Sequence, residues 1–182
     1  METETLATKL GTTTHLSPLL HKARRLGLGP EELEILAVQR GCIHYSTGLE
    51  PVQPLVTEAE FSNEDLALAL LSIALRYDPH SLRCGAAMLG AEGNDPQRLA
   101  RRAVMERCVT PVRYVAEAGR RFEPDTPFWK AILDALPPGR PPRSGVLPHP
   151  TRFVAMTGFT RRGPELVVEW QRPRPRQRQQ TR

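Results

Sequence analysis

The sequence predicts a mainly α protein: a compact domain of about seven short helices, then a C-terminal β-hairpin and a disordered basic tail. Two observations carry that prediction. A residue suited to a helix cap precedes proline six times, at Ser17-Pro18, Gly29-Pro30, Asp78-Pro79, Asp95-Pro96, Thr110-Pro111 and Thr126-Pro127. Proline fits the first helical position because its missing N–H would have no intrahelical partner there, and Ser, Thr, Asp or Gly fits the cap before it. Apolar residues follow each pair at helical spacing as far as residue 136, and beyond residue 150 the period is 2 instead of 3.6.

In chain order, the first helix spans 18–26 and the second 30–40, each ended by a glycine, Gly27 and Gly41, that can turn left-handed without strain. Between the second and third helices, Pro51 and Pro54 exclude a helix, and Cys42–Tyr45 is expected as a short strand. A third helix begins after Ser62 and runs to about residue 76. Its LALALLSIAL is apolar on nearly every side, which predicts the buried central helix. Four more span 79–89, stopped by Gly90, then 96–108, 111–122 and 127–136. Their starts are 17, 15 and 16 residues apart, the cadence of a stacked array, but no residue pattern recurs to indicate a repeat family.

Residues 137–150 hold six prolines and are expected to be extended and stiff. The Pro138–Pro141 spacing resembles an SH3 ligand only as any proline-rich link does. TRFVAMTGF (151–159) and ELVVEWQ (165–171) read as the two strands of a hairpin, with Leu166, Val168 and Trp170 on one side and Glu165 and Glu169 on the other. Two strands alone are marginal in water. The hairpin must therefore pack on the helices, add Cys42–Tyr45 as a third strand, or pair with another chain. The resulting divisions are a helical domain 1–136, a link 137–150, a hairpin appendage 151–171 and a disordered tail 172–182.

Hydrophobic residues make up 40% of the chain, enough to build a core at this length without staples, although only 5% is aromatic. No apolar run reaches the roughly 18 residues needed to span a membrane. METETLATKL lacks the basic and apolar regions of a signal peptide, so a cytoplasmic protein without membrane contact is expected. Three widely spaced cysteines make no disulfide framework. The basic residues are 22 Arg and 3 Lys. Arginine's planar fork suits phosphate, but GC-rich codons favour Arg, Ala, Pro and Gly together, so the excess alone carries little. Its distribution carries more. Residues 1–75 hold 5 basic and 10 acidic side chains, residues 76–139 hold 10 and 8, and residues 140–182 hold 10 and 2. An acidic front and a strongly basic end predict an asymmetric molecule with one end for polyanions.

The stretch NDPQRLARRAVMERCVTP places Leu99, Ala100, Ala103 and Val104 on one side of a helix and Arg98, Arg101 and Arg102 opposite, with Met105 among them. These arginines read first as a solvated helix face and second as a polyanion surface. In the next helix Val115, Ala118 and Phe122 form the apolar stripe, and Arg113 and Glu117 face each other at i, i+4.

Catalytic and metal signals are weak. His80 and Cys84 share a helix face, Cys42 and His44 lie nearby in sequence, and Cys108 ends a helix, but no C-x-x-C pair exists. The sequence contains no G-x-S-x-G. Gly27-Leu28-Gly29 lacks the strand and lysine of a phosphate loop. Glu31, Glu32, Glu34, Glu64 and Asp65 all lie in first turns, where the helix dipole favours anions. The first two helices resemble a helix-turn-helix in spacing only, because the second opens on three glutamates that phosphate would repel.

The favoured function is a non-enzymatic binding or adaptor module with no catalytic residue, cofactor or metal. Its helical body would meet a protein partner or a second copy. Its basic end would bind nucleic acid or another polyanion through Arg161, Arg162, Arg172, Arg174, Arg176, Arg178 and Arg182, with Arg98, Arg101 and Arg102 as secondary candidates. The alternatives are an enzyme with a polar site between the 42–45 loop and the helices at 79–89 and 96–108, or a purely structural subunit.

Overall fold

A computed structural model of the chain describes residues 17–72, 77–157 and 167–174. Among these residues, seven α-helices come first: α1 (Pro18–Arg25), α2 (Pro30–Gln39), α3 (Asn63–Leu70), α4 (Pro79–Leu89), α5 (Pro96–Met105), α6 (Val109–Phe122) and α7 (Pro127–Ala135). Two antiparallel strands follow, β1 (Val154–Thr157) and β2 (Val167–Trp170), in register from Val154 opposite Trp170 to Thr157 opposite Val167. The protein is mainly α, as the cap–proline pairs predict. Among the described residues no helix is long and apolar enough to cross a membrane.

The caps explain the helix starts. Ser17 Oγ accepts from the Leu20 amide, Asp78 from those of His80 and Ser81, and Asp95 from that of Arg98. Three of the helix stops share one device. At the ends of α1 and α2, Gly27 and Gly41 have φ of +75° and +114°. The next residues, Leu28 and Cys42, donate back to the Ala23 and Ala37 carbonyls. At the end of α5 Arg107 does the same at φ 56°, and Cys108 donates to the Ala103 carbonyl. No glycine marks this turn, which is why the sequence reads the helix on to Cys108 when it ends at Met105. It also moves the start of α6 to Val109, so that Pro111 lies inside the first turn rather than opening it.

α3 is the central helix. Leu66 through Leu71 are all buried. The buried stripe of α5 is Leu99, Ala100 and Ala103; Val104 lies about 90° from its centre and is exposed, contrary to its expected place in the core. Cys42–Tyr45 is not a strand. Ile43–Tyr45 forms a single 3-10 turn, and the sheet has two strands among the described residues.

The C-terminal region is part of the core rather than an appendage. Leu147, Phe153, Val154 and Trp170 belong to the same buried cluster as the helices. Trp170 lies 4.7 Å from Trp129 and 5.8 Å from Phe153 between ring centroids. The link is tied down as well: the Tyr114 hydroxyl donates to the Pro148 carbonyl at 2.9 Å, and Arg113 donates to the Leu136 carbonyl at 3.1 Å and to that of Pro137. Arg113 thus serves the link rather than Glu117.

Two glycines admit the indoles. A Cβ on Gly119 of α6 would come within 2.2 Å of the Trp129 ring, and one on Gly90 within 2.9 Å of the Trp170 ring. Gly119→Ala is therefore expected to cost about 3 kcal/mol, the upper part of the range for overpacking, because Trp129 is walled in and cannot yield. The urea midpoint measures it. A change equivalent to less than about 0.5 kcal/mol would mean that α6 and α7 do not meet at this glycine.

Candidate functional site

The three arginines of the quoted stretch divide. The Arg98 guanidinium donates twice to Glu64, at 2.6 and 2.7 Å. Arg102 donates to Asp65, whose other oxygen takes the Lys22 ammonium at 2.8 Å. Both carboxylates are 3% exposed at the start of α3, where Asp65 also accepts from the Ser62 amide at 3.1 Å and completes a capping box. Burial works to raise the Asp65 pKa, but the hydrogen bonds from Lys22 and Arg102 and the Arg102 charge outweigh it and hold the carboxyl below its ordinary value. The sequence shows Glu64 and Asp65 as dipole partners; it does not show that they also anchor α1 and α5. Arg98 and Arg101 are both exposed, and of the three arginines Arg101 alone has no carboxylate partner among the described residues.

The tail arginines divide too. Arg172 pairs with Glu123, which also accepts from the Trp129 indole at 2.7 Å. This arginine closes the core beneath the two indoles. Arg174 has its backbone N–H on the Gly41 carbonyl at 2.9 Å and its side chain 63% exposed, 3.9 Å from an equally solvated Glu169. Burial first, and then the Arg174 charge, lowers the His44 pKa. Arg161, Arg162, Arg176, Arg178 and Arg182 lie outside the described residues.

Two clefts border the start of α4. One, of about 300 Å³, lies between α2, residues 45–50 and the start of α4, and not against α5 as the enzyme alternative expects. Its polar lining includes Glu31, Glu34, Glu50, Tyr45 and His80, over Ile35, Val38 and Leu49. Glu34 accepts from the Ser81 hydroxyl at 2.5 Å and lies 3.8 Å from His80 Nε2. Cys84 Sγ lies 4.0 Å from the same nitrogen. That juxtaposition resembles a nucleophile beside its base, but burial pushes the Cys84 thiol far up, so the sulfur stays protonated at neutral pH. Cys42 and Cys108 are likewise pushed up to about 12, first by burial. Among the described residues no group of three or more His, Cys, Asp or Glu side chains is placed to hold a metal ion.

The second cleft, of about 360 Å³, lies between the first turn of α4 and residues 148–152. Pro79, Arg83, Pro148, His149 and Arg152 line it. Arg83, in the lining of this cleft, also lies over the Tyr45 ring, its guanidinium carbon 5.7 Å from the centroid. The Tyr45 hydroxyl in turn donates to Gln171 Oε1 at 2.7 Å. A chain of direct contacts thus joins the basic cleft to the segment that leads into Arg174. Sequence reading missed Arg83, His149 and Arg152 because they come from segments more than sixty residues apart, and no local pattern marks them.

The chain matches no protein-family model, and no curated protein or solved structure is significantly similar to it.

Proposed function

We propose that the protein is a non-enzymatic binding module for polyanions, nucleic acid foremost, which it grips through its basic C-terminal end. The observation that carries this reading is the concentration of charge: residues 140–182 hold 10 basic and 2 acidic side chains on a chain whose first 75 residues are net acidic. Three placements support it. Arg174 stands solvated at the root of the tail, the basic cleft is linked to it through Tyr45 and Gln171, and Arg98 and Arg102 are engaged by buried carboxylates. The working residues are then Arg174, Arg176, Arg178 and Arg182, together with Arg161 and Arg162. Arg172 is a core latch.

If about five phosphates are neutralised, log K against duplex DNA falls with log salt at a slope near −4.5. Raising salt from about 50 to about 200 mM then weakens binding roughly 500-fold. Sequence preference is slight, because phosphate contacts carry no base information. Fluorescence anisotropy of a labelled oligonucleotide measures this with the full chain, with Arg174→Gln/Arg176→Gln/Arg178→Gln and with Arg101→Gln. The tail variant loses most of the affinity and about three units of slope; Arg101→Gln retains both. Full affinity in the tail variant, or no binding by the full chain even at low salt, would refute the reading.

A further inference from the structure

We propose that the cleft between the first turn of α4 and residues 148–152 is a subsite for one phosphate group, held by Arg83, Arg152 and His149. The bearer we assign, a phosphate of the strand that the tail grips, rests on the polyanion reading above; the phosphate chemistry of the cleft does not.

Among the described residues the cleft has no carboxylate in its lining. Asp78, the nearest acid in sequence, caps α4 and accepts from two of its amides. The two arginines differ from those that pair with buried acids. Arg83 uses Nε on the Pro79 carbonyl at 3.2 Å and lays its guanidinium over Tyr45. A carbonyl and a ring fix the head in place without neutralising its charge, and its terminal nitrogens remain as donors for a paired contact to an anion. Arg152 rises from the 3-10 turn Pro150–Phe153, exposed and without a carboxylate partner among the described residues. His149 caps that turn: its Nδ1 accepts from the Thr151 amide at 3.4 Å and lies 2.8 Å from the Thr151 hydroxyl. A backbone N–H can only donate, so Nδ1 is the acceptor and the ring proton resides on Nε2, which is then a further donor. The walls are two prolines, one of them held by the Tyr114 hydroxyl on its carbonyl. Arg83 and His149 are thus set before an anion arrives, which lowers the ordering cost of binding it.

The experiment uses the full chain and two probes. Inorganic phosphate is titrated against chloride at matched ionic strength, with the His149 ring protons followed by NMR. A single-stranded oligonucleotide is titrated by anisotropy. Phosphate shifts the His149 signals saturably and chloride does not. In Arg83→Gln/Arg152→Gln, with an unchanged thermal melt, the phosphate affinity falls at least about tenfold. The oligonucleotide slope against log salt falls by about 0.7 to 1.4. A His149 response equal in phosphate and chloride, or unchanged in the double variant, overturns the subsite even if the oligonucleotide binds. A phosphate response without oligonucleotide binding upholds the subsite but overturns the strand as its bearer, and with it the polyanion reading.

Discussion

Trp170→Ala lowers the stability of the whole protein by about 3–5 kcal/mol, the range for deleting a large aromatic from a packed core. The indole is fully buried, faces Trp129 and Phe153, and its N–H lies 3.3 Å from the Ala86 carbonyl of α4. Gly90 and the Trp129 ring form walls of its site. Against a typical total of about 5–15 kcal/mol, the loss brings the variant close to unfolding at physiological temperature. Urea unfolding followed by far-UV circular dichroism measures it as a shift of the single helical transition. Glu169→Ala, next in the strand but exposed, changes it by less than about 0.5 kcal/mol. If Trp170→Ala left the helical transition in place, the hairpin would be the separable appendage that the sequence predicts.

Asp65→Ala costs about 3 kcal/mol. That is the lower end of the range for removing one partner of a buried ion pair, since Lys22 and Arg102 keep part of their hydration. It frees two cations and the Ser62 amide together. The effect depends on pH with a definite sign. The Asp65 carboxyl titrates below its ordinary value in the folded state. Its contribution is therefore fully present above about pH 4 and is lost as pH falls through the lowered folded value. Stability curves of the parent and Asp65→Ala, measured between about pH 7 and pH 2, lie apart at neutral pH and converge in acid. A gap that stayed constant down to pH 2 would show that the carboxylate's charge contributes nothing and that only its packing matters.

Much of the fold was legible because its signals are local. A cap and a proline mark most helix starts within two residues, and Gly27 and Gly41 mark two stops. The apolar surround of α3 shows its burial without any knowledge of its neighbours. Three features were not legible, each for a nonlocal reason. Arg107 ends α5 in a left-handed conformation that its residue type does not announce. Trp170 is a single aromatic at strand spacing, and only the gap between Gly90 and Trp129 makes it a core residue. Arg98 and Arg102 have the periodicity of a wet face, because periodicity cannot reveal that Glu64 and Asp65 lie across from them on another helix. The candidate site was least legible. Its tail was evident from composition, whereas its cleft is assembled by tertiary packing from Arg83, His149 and Arg152.

The pairing of Gly90 with Trp170 has a consequence for synthesis. The helix that ends at Gly90 leaves the ribosome about eighty residues before the indole that covers it, which at roughly 5–20 residues per second is about 4 to 16 s. Throughout that interval the nascent helices carry an open apolar notch. The chain thus has a vectorial vulnerability built into its architecture: a stall or cleavage between residues 136 and 170 yields a product holding all seven described helices but lacking the side chain that seals them. Such a product is a substrate for chaperones and proteases, and the completed chain escapes them when its last tryptophan enters the core.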